Sequence, residues 1–405
     1  MAGSAPSADA ETVERAVPPA ATVARVRPLM ARMGITRLAD VTGLDRIGLP
    51  VFSAIRPSSR SVAVSQGKGL TADAARAAAL MEAVESWHAE TIEAPLRLAS
   101  AAELARRSGT VAVDRLPRRA DARFDPDQPL LWIEGRHMVT GEPVWLPYEL
   151  VHTDYRLPQP PAAGCFPVST NGLAAGNTRD EAVRHALCEL IERDALSLWH
   201  QLHPRARQGT AIDQATVEDA GCRAVLDRLA ETGFAVALFD LTSDLAVPAF
   251  LALLVDRRDA AGHPGLGSAC HPRPATALLK ALLEAVQVRT GYIAGARDDL
   301  TPEEFDAAGP VEKLRWLGPL LEGAEGARRL AQAEPAAGGG GPAAQVGYLL
   351  GRLAATGLGE AVAVDLTRPE FDLPVVRVVV PGLEACADDP GYAPGARASA
   401  ARAAR

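Results

Sequence analysis

Two stretches decide the fold: GKGLTADAARAAALMEAVESWHAE at 67–90 and NGLAAGNTRDEAVRHALCELIERDAL at 171–196. Each begins with a glycine-containing segment, continues into an alanine-rich helix and carries two acidic residues spaced i, i+3. A third stretch, GLGSACHPRPATALLKALLEAVQVRTG at 265–291, repeats this order with a Glu–Gln pair. Three occurrences in register favour related loop-plus-helix units packed around a shared centre.

Strand-like runs lie between and after these helices without strict alternation of strand and helix, which predicts an α+β fold. The runs are 131–139, 236–242, 249–256, 360–367 and 373–382. We expect one domain over 23–387, with an internal glycine-rich loop at about 334–343. The segments 1–22 and 388–405 are predicted to be disordered, because they are rich in alanine, proline and small polar residues.

Composition excludes several classes of protein. The 405-residue chain has a formal net charge of −8, which argues against nucleic-acid binding through a broad basic surface. Its longest apolar run, at 246–255, is too short to span a bilayer, where about 20 residues are needed. The five cysteines are scattered and form no CxxC pair, which argues against a zinc ribbon or a disulfide framework. A reducing, cytoplasmic compartment is expected.

The acidic pairs predict a site for a metal and a nucleotide. Residues i and i+3 share one helix face, so each pair points in one direction. Carboxylates that converge repel one another unless cations lie among them, and oxygen ligands suit Mg²⁺, which commonly shares its shell with phosphates. The carboxylates are Glu82, Glu85, Glu181, Glu189, Glu192 and Glu284, and the nearby cations are Lys68, Arg184, Arg193 and Arg289. Glycine-rich loops before the helices would add backbone N–H groups for phosphate.

Simpler interpretations remain open for individual residues. A single ExxE pair is usually a solvated helix face. Thr178 and Glu181 have the spacing of a capping box, in which each side chain bonds the backbone N–H of the other. Lys68 does not belong to a Walker A motif, because GxxxxGK[ST] is absent.

The first two stretches, together with LPVVRVVVPGLE near the end of the chain, resemble the signature blocks of the YcaO family. The block GITRLADVTGLDRIGLPVFSAIRPSSRSVAVSQGKGL further resembles the subgroup that works with a TfuA-type partner. The resemblance implies an α+β fold, often homodimeric, and an ATP- and Mg²⁺-dependent enzyme. Such enzymes phosphorylate a backbone amide oxygen of a peptide or protein. A sulfur nucleophile then yields a thioamide, whereas a neighbouring side chain yields an azoline.

The resemblance also assigns roles to residues. The implied Mg²⁺ ligands are Glu82, Glu85, Glu189 and Glu192. The implied nucleotide contacts are Asn177, Glu181, Arg193 and Arg289, to which the cation Lys68 is added. Arg193 and Arg289 would be catalytic, because they would offset charge on the transferred phosphoryl group.

Departures from the family pattern bear on the product. The family often has Ser where this chain has Ala78, and the first 17 residues offer no clear basic match for its N-terminal nucleotide contacts. The proline-rich tail of many azoline-forming members has no counterpart in the closing ASAARAAR, which favours a thioamide. The alternatives are an azoline-forming cyclodehydratase and a non-catalytic, nucleotide-binding accessory factor for ribosomal-protein methylthiolation. No membrane or nucleic-acid partner is expected.

Overall fold

The computed structural model describes residues 15–107, 109–160, 163–259, 262–298, 302–305, 308–322, 330, 340–387 and 391–403. Most of the glycine-rich loop predicted at 334–343, and residues 1–14 of the predicted disordered N-terminal segment, lie outside these ranges. Among the described residues, no helix combines the length and the apolar character needed to cross a bilayer.

The strands of the described ranges form three antiparallel sheets. They are β1 (Arg37–Asp40), β2 (Val51–Ile55), β3 (Val64–Lys68), β4 (Leu96–Ala99), β5 (Leu130–His137), β6 (Pro143–Pro147), β7 (Leu173–Ala175), β8 (Phe234–Asp240), β9 (Ala249–Asp256), β10 (Gly265–Cys270), β11 (Val362–Asp365) and β12 (Val375–Val379). Two sheets are three-stranded, in the orders β1-β2-β3 and β10-β9-β8. The third has the order β4-β5-β11-β12-β7, with β6 paired to β5.

Helices cover the faces of these sheets. They are α1 (Pro19–Val26), α2 (Ala72–Glu90), α3 (Ala101–Arg107), α4 (Arg179–His200), α5 (Pro204–Gln208), α6 (Ala220–Glu231), α7 (Pro274–Ala294), α8 (Ala308–Glu322), α9 (Pro342–Ala355) and α10 (Ala396–Ala403). The mixture of antiparallel sheets and helices is the predicted α+β class, and each strand-like run of the sequence contains a strand.

The six-stranded sheet is buried on both faces because side chains alternate along its strands. On β12, Val375 and Val379 belong to the core that contains α2. Val376 and Val378 belong to the core that contains α4. The two acidic helices therefore lie on opposite faces of one sheet.

The glycine-containing segments of the first and third stretches are strands, not the phosphate-binding loops expected from sequence. Gly67 lies on β3, where an added Cβ would sit 2.1 Å from the backbone nitrogen of Ala79 on α2. Gly267 lies on β10, where a Cβ would sit 2.3 Å from the carbonyl oxygen of Ala281 on α7. Glycine in the strand and alanine in the helix let the two backbones approach closely.

The three related units predicted from sequence do not share one architecture. The first and third are each a three-stranded sheet whose last strand leads into the helix that covers it, namely β3 into α2 and β10 into α7. The second has only the short strand β7, at the edge of the six-stranded sheet, before α4.

The described parts of both predicted disordered segments contain a helix. Helix α1 begins at Pro19, inside the segment expected to be disordered, and packs against α2. Helix α10 lies in the predicted tail. Its Arg397 binds Asp194 at 2.9 Å and Asp244 at 2.6 Å, and Ala398 is fully buried. Two ion pairs and a buried contact therefore hold residues that composition alone placed in a disordered tail.

Candidate functional site

Five glutamates from three helices lie near enough for their charges to interact. Glu82 and Glu85 come from α2, Glu189 and Glu192 from α4, and Glu284 from α7. Their charges act on one another across the helices. Glu189 raises the pKa of Glu85, and Glu284 raises the pKa values of Glu82, Glu189 and Glu192. The convergence of acidic helices expected from sequence is therefore present in the structure.

Burial controls the ionisation of these carboxylates. It is the largest cause that raises the pKa of Glu82, Glu189 and Glu192 to about 7, and it raises the pKa of Glu85 well above its usual range. Glu192 is buried, whereas the other three keep partial access to solvent although protein surrounds them closely. Carboxylates that stay partly protonated near neutral pH form a site prepared for cations.

Hydrogen bonds hold the carboxylates in place. The backbone N–H of Ala175 donates to Glu85 at 2.7 Å. The hydroxyl of Ser268, on β10, donates to Glu192 at 2.6 Å. Lys68, at the end of β3, donates to Glu284 at 2.7 Å. Each contact ties a glutamate to a different strand, so the geometry of the site depends on how the sheets and helices pack.

Within the described ranges, no three carboxylates, imidazoles or thiols converge closely enough to surround a metal by themselves. The acidic pairs are spread along three helices instead. This spacing fits Mg²⁺, which is usually bound by one or two carboxylates and completes its octahedron with water and substrate phosphates. Glu82, Glu85, Glu189 and Glu192 are the residues that could hold such ions.

Positive side chains flank the carboxylates. Arg193 lies 3.7 Å from Glu192, and the charges of Glu192, Glu189 and Glu284 raise its pKa. On the adjoining side, closely surrounding protein lowers the pKa of His185 although its side chain reaches solvent, and the charges of Lys280, Arg184, Lys68 and Arg15 lower it further. Cations crowded together beside carboxylates create a charge-separated surface, which suits a metal-bound polyphosphate.

Three cations beside the site were not assigned from sequence. Arg377, from β12, is fully buried and donates to the carbonyl oxygens of Leu150 and Ser169 at 2.7 and 2.6 Å. Burial lowers its pKa to about 10, and the charge of Glu189 opposes that shift. Lys280 lies one turn before Glu284 on α7, and the charge of Arg297 lowers the pKa of Glu82. Only Arg377 carried a visible signal, as a charged residue inside an apolar strand.

Asn177 and Glu181 contact the N-terminal segment. Glu181 accepts hydrogen bonds from the backbone N–H groups of Asn177, at 2.8 Å, and of Ala16. Thr178 caps α4 by accepting from the backbone N–H of Glu181 at 3.3 Å, which is half of the predicted capping box. Thr22 donates to the side-chain oxygen of Asn177 at 3.0 Å. These contacts bring Arg15 beside α4, where its charge acts on His185.

Arg289 lies outside the site, contrary to its predicted catalytic and nucleotide-binding role. Its guanidinium donates to Asp45 at 2.7 Å, to Asp256 at 3.2 Å and to the carbonyl of His263 at 2.7 Å. Five residues separate it from Glu284, a rotation of about 140° around the helix, so the two side chains leave α7 in different directions. Arg289 is therefore part of a buried ion-pair network that joins α7 to β9 and to the segment after β1.

Proteins of a known family resemble this chain in sequence and fold. Residues 66–384, most of the chain, match the family model described as YcaO cyclodehydratase, ATP- and Mg²⁺-binding. The chain belongs to the YcaO family. Its first matched residue lies in β3, and the match runs through all three acidic helices to Glu384.

Relatives of this YcaO chain include a Rhizobium leguminosarum bv. trifolii protein named for its place in the region 3′ of tfuA. It is 38% identical over 379 residues, 92% of this chain and 89% of the relative. The solved structure of YcaO from Methanopyrus kandleri, bound with AMPPCP and Mg²⁺, is 28% identical with a TM-score of 0.71 over 91% of this chain and 92% of that one.

A heterocyclase solved in complex with substrate and cofactor has the same fold. Its TM-score is 0.76 at 24% identity, over 98% of this YcaO chain. The aligned part makes up 55% of the heterocyclase chain, so this chain spans about half of that protein.

The ion-pair network predicts that Arg289 stabilises the fold. Arg289→Met leaves Asp45 buried without its guanidinium partner, so the free energy of unfolding should fall by about 3 kcal/mol. The matched control is Arg223→Met, which breaks the exposed pair with Asp227 on α6 and should cost less than about 1 kcal/mol. Urea unfolding measures both. Equal stability of the two variants would contradict a structural role for Arg289.

The raised pKa of Glu192 predicts how stability depends on pH. The folded protein binds a proton at Glu192 up to about pH 7, whereas the unfolded chain releases it near the ordinary value of 4.5. The carboxyl therefore stabilises the fold at low pH, and this contribution is lost as pH rises through 7. Relative to wild type, Glu192→Gln should gain roughly 2–3 kcal/mol between pH 5 and pH 8 without Mg²⁺. Urea unfolding across this range tests it, and parallel pH profiles would contradict the raised pKa.

Proposed function

We propose that this YcaO protein uses ATP and Mg²⁺ to phosphorylate a backbone amide oxygen of a peptide or protein, and that the product is a thioamide made with a TfuA-type partner. The observation that carries the proposal is the group of interacting carboxylates on α2, α4 and α7, beside which Lys68 pairs with Glu284 and Arg193 with Glu192. The carboxylates repel one another, and so do the cations. A metal-bound polyphosphate would relieve both repulsions, because its metal ion binds carboxylates and its phosphates bind cations.

The chain's own residues would act mainly by position and charge. Glu82, Glu85, Glu189 and Glu192 would hold Mg²⁺ against the phosphates. Lys68 and Arg193 would offset charge on the transferred phosphoryl group, because both already lie against carboxylates of the site. Bound ATP would supply that group.

Asn177 and Glu181 would contact the remainder of the nucleotide. Both belong to the N-terminal end of α4, two turns or more before Glu189, and an extended nucleotide can reach this distance of about 12 Å. Their present bonds to Thr22 and to the backbone of Ala16 place the N-terminal segment over the same end of the site.

The thioamide follows from the chemistry of the activated amide. The amide oxygen would take the terminal phosphoryl group and release ADP. A sulfur nucleophile would then bond to the amide carbon, phosphate would leave with the former amide oxygen, and loss of a proton would give C=S. The relative named for the region 3′ of tfuA supports a TfuA-type partner for this reaction.

Azoline formation is the second candidate, supported by the family description as a cyclodehydratase. A Cys, Ser or Thr side chain of the substrate would then attack the same activated carbon. A third candidate, a nucleotide-binding accessory factor, would use the same site without turning over a substrate.

Nucleotide binding is the first test. Calorimetry should show that AMPPCP binds wild type with Mg²⁺ and much more weakly without it. Glu189→Gln combined with Glu192→Gln should lower the affinity at least a hundredfold, because two Mg²⁺ ligands lose their charge. The control is Glu134→Gln with Glu142→Gln, the same charge change at exposed positions of the β5–β6 hairpin. Unchanged affinity in the first double variant, with melting preserved, would remove the acidic helices from the site.

The mass of the product separates the chemical candidates. With ATP, Mg²⁺, a TfuA-type protein and sulfide, a peptide substrate should gain the mass difference between sulfur and oxygen. Loss of one water without sulfur would establish azoline formation instead. Nucleotide binding without any change in substrate mass, with every component present, would favour the accessory role.

A further inference from the structure

A cavity with an apolar wall and a polar wall lies at the C-terminal end of α4. It has a volume of about 480 Å³ and is bounded by α4, α7, α8 and strands of the β8–β10 sheet. Its apolar wall includes Leu196, Trp199, Phe239, Leu253, Leu266 and Val288. This volume falls in the range of about 300–1,000 Å³ that is typical of small-ligand sites.

The polar wall of this cavity belongs to the candidate site. Arg193, Ser268 and Glu284 line the cavity. Ser268 also donates to Glu192, Arg193 lies beside Glu192, and Glu284 accepts from Lys68. The cavity is therefore next to the carboxylates, and side chains shared by both form its boundary.

The order of residues along α4 gives the cavity a position relative to the nucleotide. At a rise of 1.5 Å per residue, Glu181 lies about 12 Å before Glu189, whereas Leu196 and Trp199 lie about 5–10 Å beyond Glu192 and Arg193. A nucleotide with its nucleoside near Glu181 and its phosphates at Glu189 and Glu192 would place its terminal phosphate next to the cavity. The reacting amide must lie at that end.

The composition of the cavity wall argues against a nucleobase as its occupant. Adenine needs donors and acceptors around its edge, yet three of the polar groups lining this cavity are engaged by the carboxylate cluster. The opposite end of the site offers the amide of Asn177, the carboxylate of Glu181 and the hydroxyl of Thr22 within one hydrogen-bonded group.

We propose that this cavity receives an apolar side chain of the peptide substrate, next to the amide that is activated. The proposal rests on the proposed function, since it extends the same site. The expected substrates are peptides with a branched aliphatic or aromatic residue beside the modified amide. Burial of such a side chain should improve affinity about tenfold or more over a small polar one.

Short peptides test this preference directly. The probes are acetyl-Gly-X-Gly-amides in which X is Leu, Phe, Ser or Asp, and saturation-transfer NMR measures their affinity for protein loaded with AMPPCP and Mg²⁺. Wild type should bind the Leu and Phe peptides at least tenfold more tightly than the other two. Equal affinity for all four peptides would overturn the proposal.

Two variants fill the cavity from half-buried positions on different elements, Leu266→Trp on β10 and Val288→Phe on α7. Either should abolish the preference for Leu and Phe. The control is Val236→Phe, also half-buried but packed on the other face of the β8–β10 sheet, and it should keep the preference. Persistence of the preference in both cavity variants would place the peptide elsewhere.

Calorimetry with AMPPCP on the same variants separates this proposal from the nucleotide site. Unchanged affinity for AMPPCP is expected, because the nucleotide lies on the other side of Arg193. Loss of that affinity in both folded cavity variants would assign the cavity to the nucleoside and overturn the proposal. Absence of AMPPCP binding in wild type, with the peptide preference intact, would refute the proposed function while supporting the cavity as a peptide site.

Discussion

Mutual repulsion among closely placed carboxylates is the constraint on which the rest of this structure depends. Glu82, Glu85, Glu189, Glu192 and Glu284 approach one another from three helices, and the surrounding protein raises the pKa of the first four above its ordinary value. Such a cluster destabilises the folded protein unless cations or protons compensate it. Lys68 and Arg193 neutralise part of this negative charge. A bound metal ion would neutralise more of it.

The scaffold keeps this unfavourable cluster in place through close packing of backbones. Glycines on β3 and β10 lie directly under alanines of α2 and α7, which leaves the helices little freedom to move away from the sheets. The six-stranded sheet separates α2 from α4 and inserts Arg377 near Glu189. The ion pairs of Arg289 hold α7 from the side opposite Glu284, so a residue remote from the site helps to position one that lies in it.

Helix α4 has three segments that differ in their contacts and chemistry. Its N-terminal end contacts Ala16, its middle carries the carboxylates and Arg193, and its C-terminal end lines the cavity. One helix thus passes from a polar end, through a charged segment, to an apolar end. A nucleotide, its metal ions and a peptide substrate could lie along it in that order.

The sequence by itself determined the acidic pairs and the helices that carry them, because i, i+3 spacing is a local property of helix geometry. It also determined the strands β5, β8, β9, β11 and β12, whose apolar runs need no distant partner to be recognised. Only the tertiary structure decided which charges meet. Arg289 lies in a helix and Arg377 in a strand, and neither context identifies the partner. Helix rotation turns Arg289 toward Asp45, while strand alternation turns Arg377 to the α2 face of its sheet, where it donates to the carbonyls of Leu150 and Ser169. For the same reason, Gly67 and Gly267 were wrongly expected in phosphate-binding loops. A glycine is needed wherever another group approaches the backbone closely, and the sequence does not show whether that group is a helix or a phosphate.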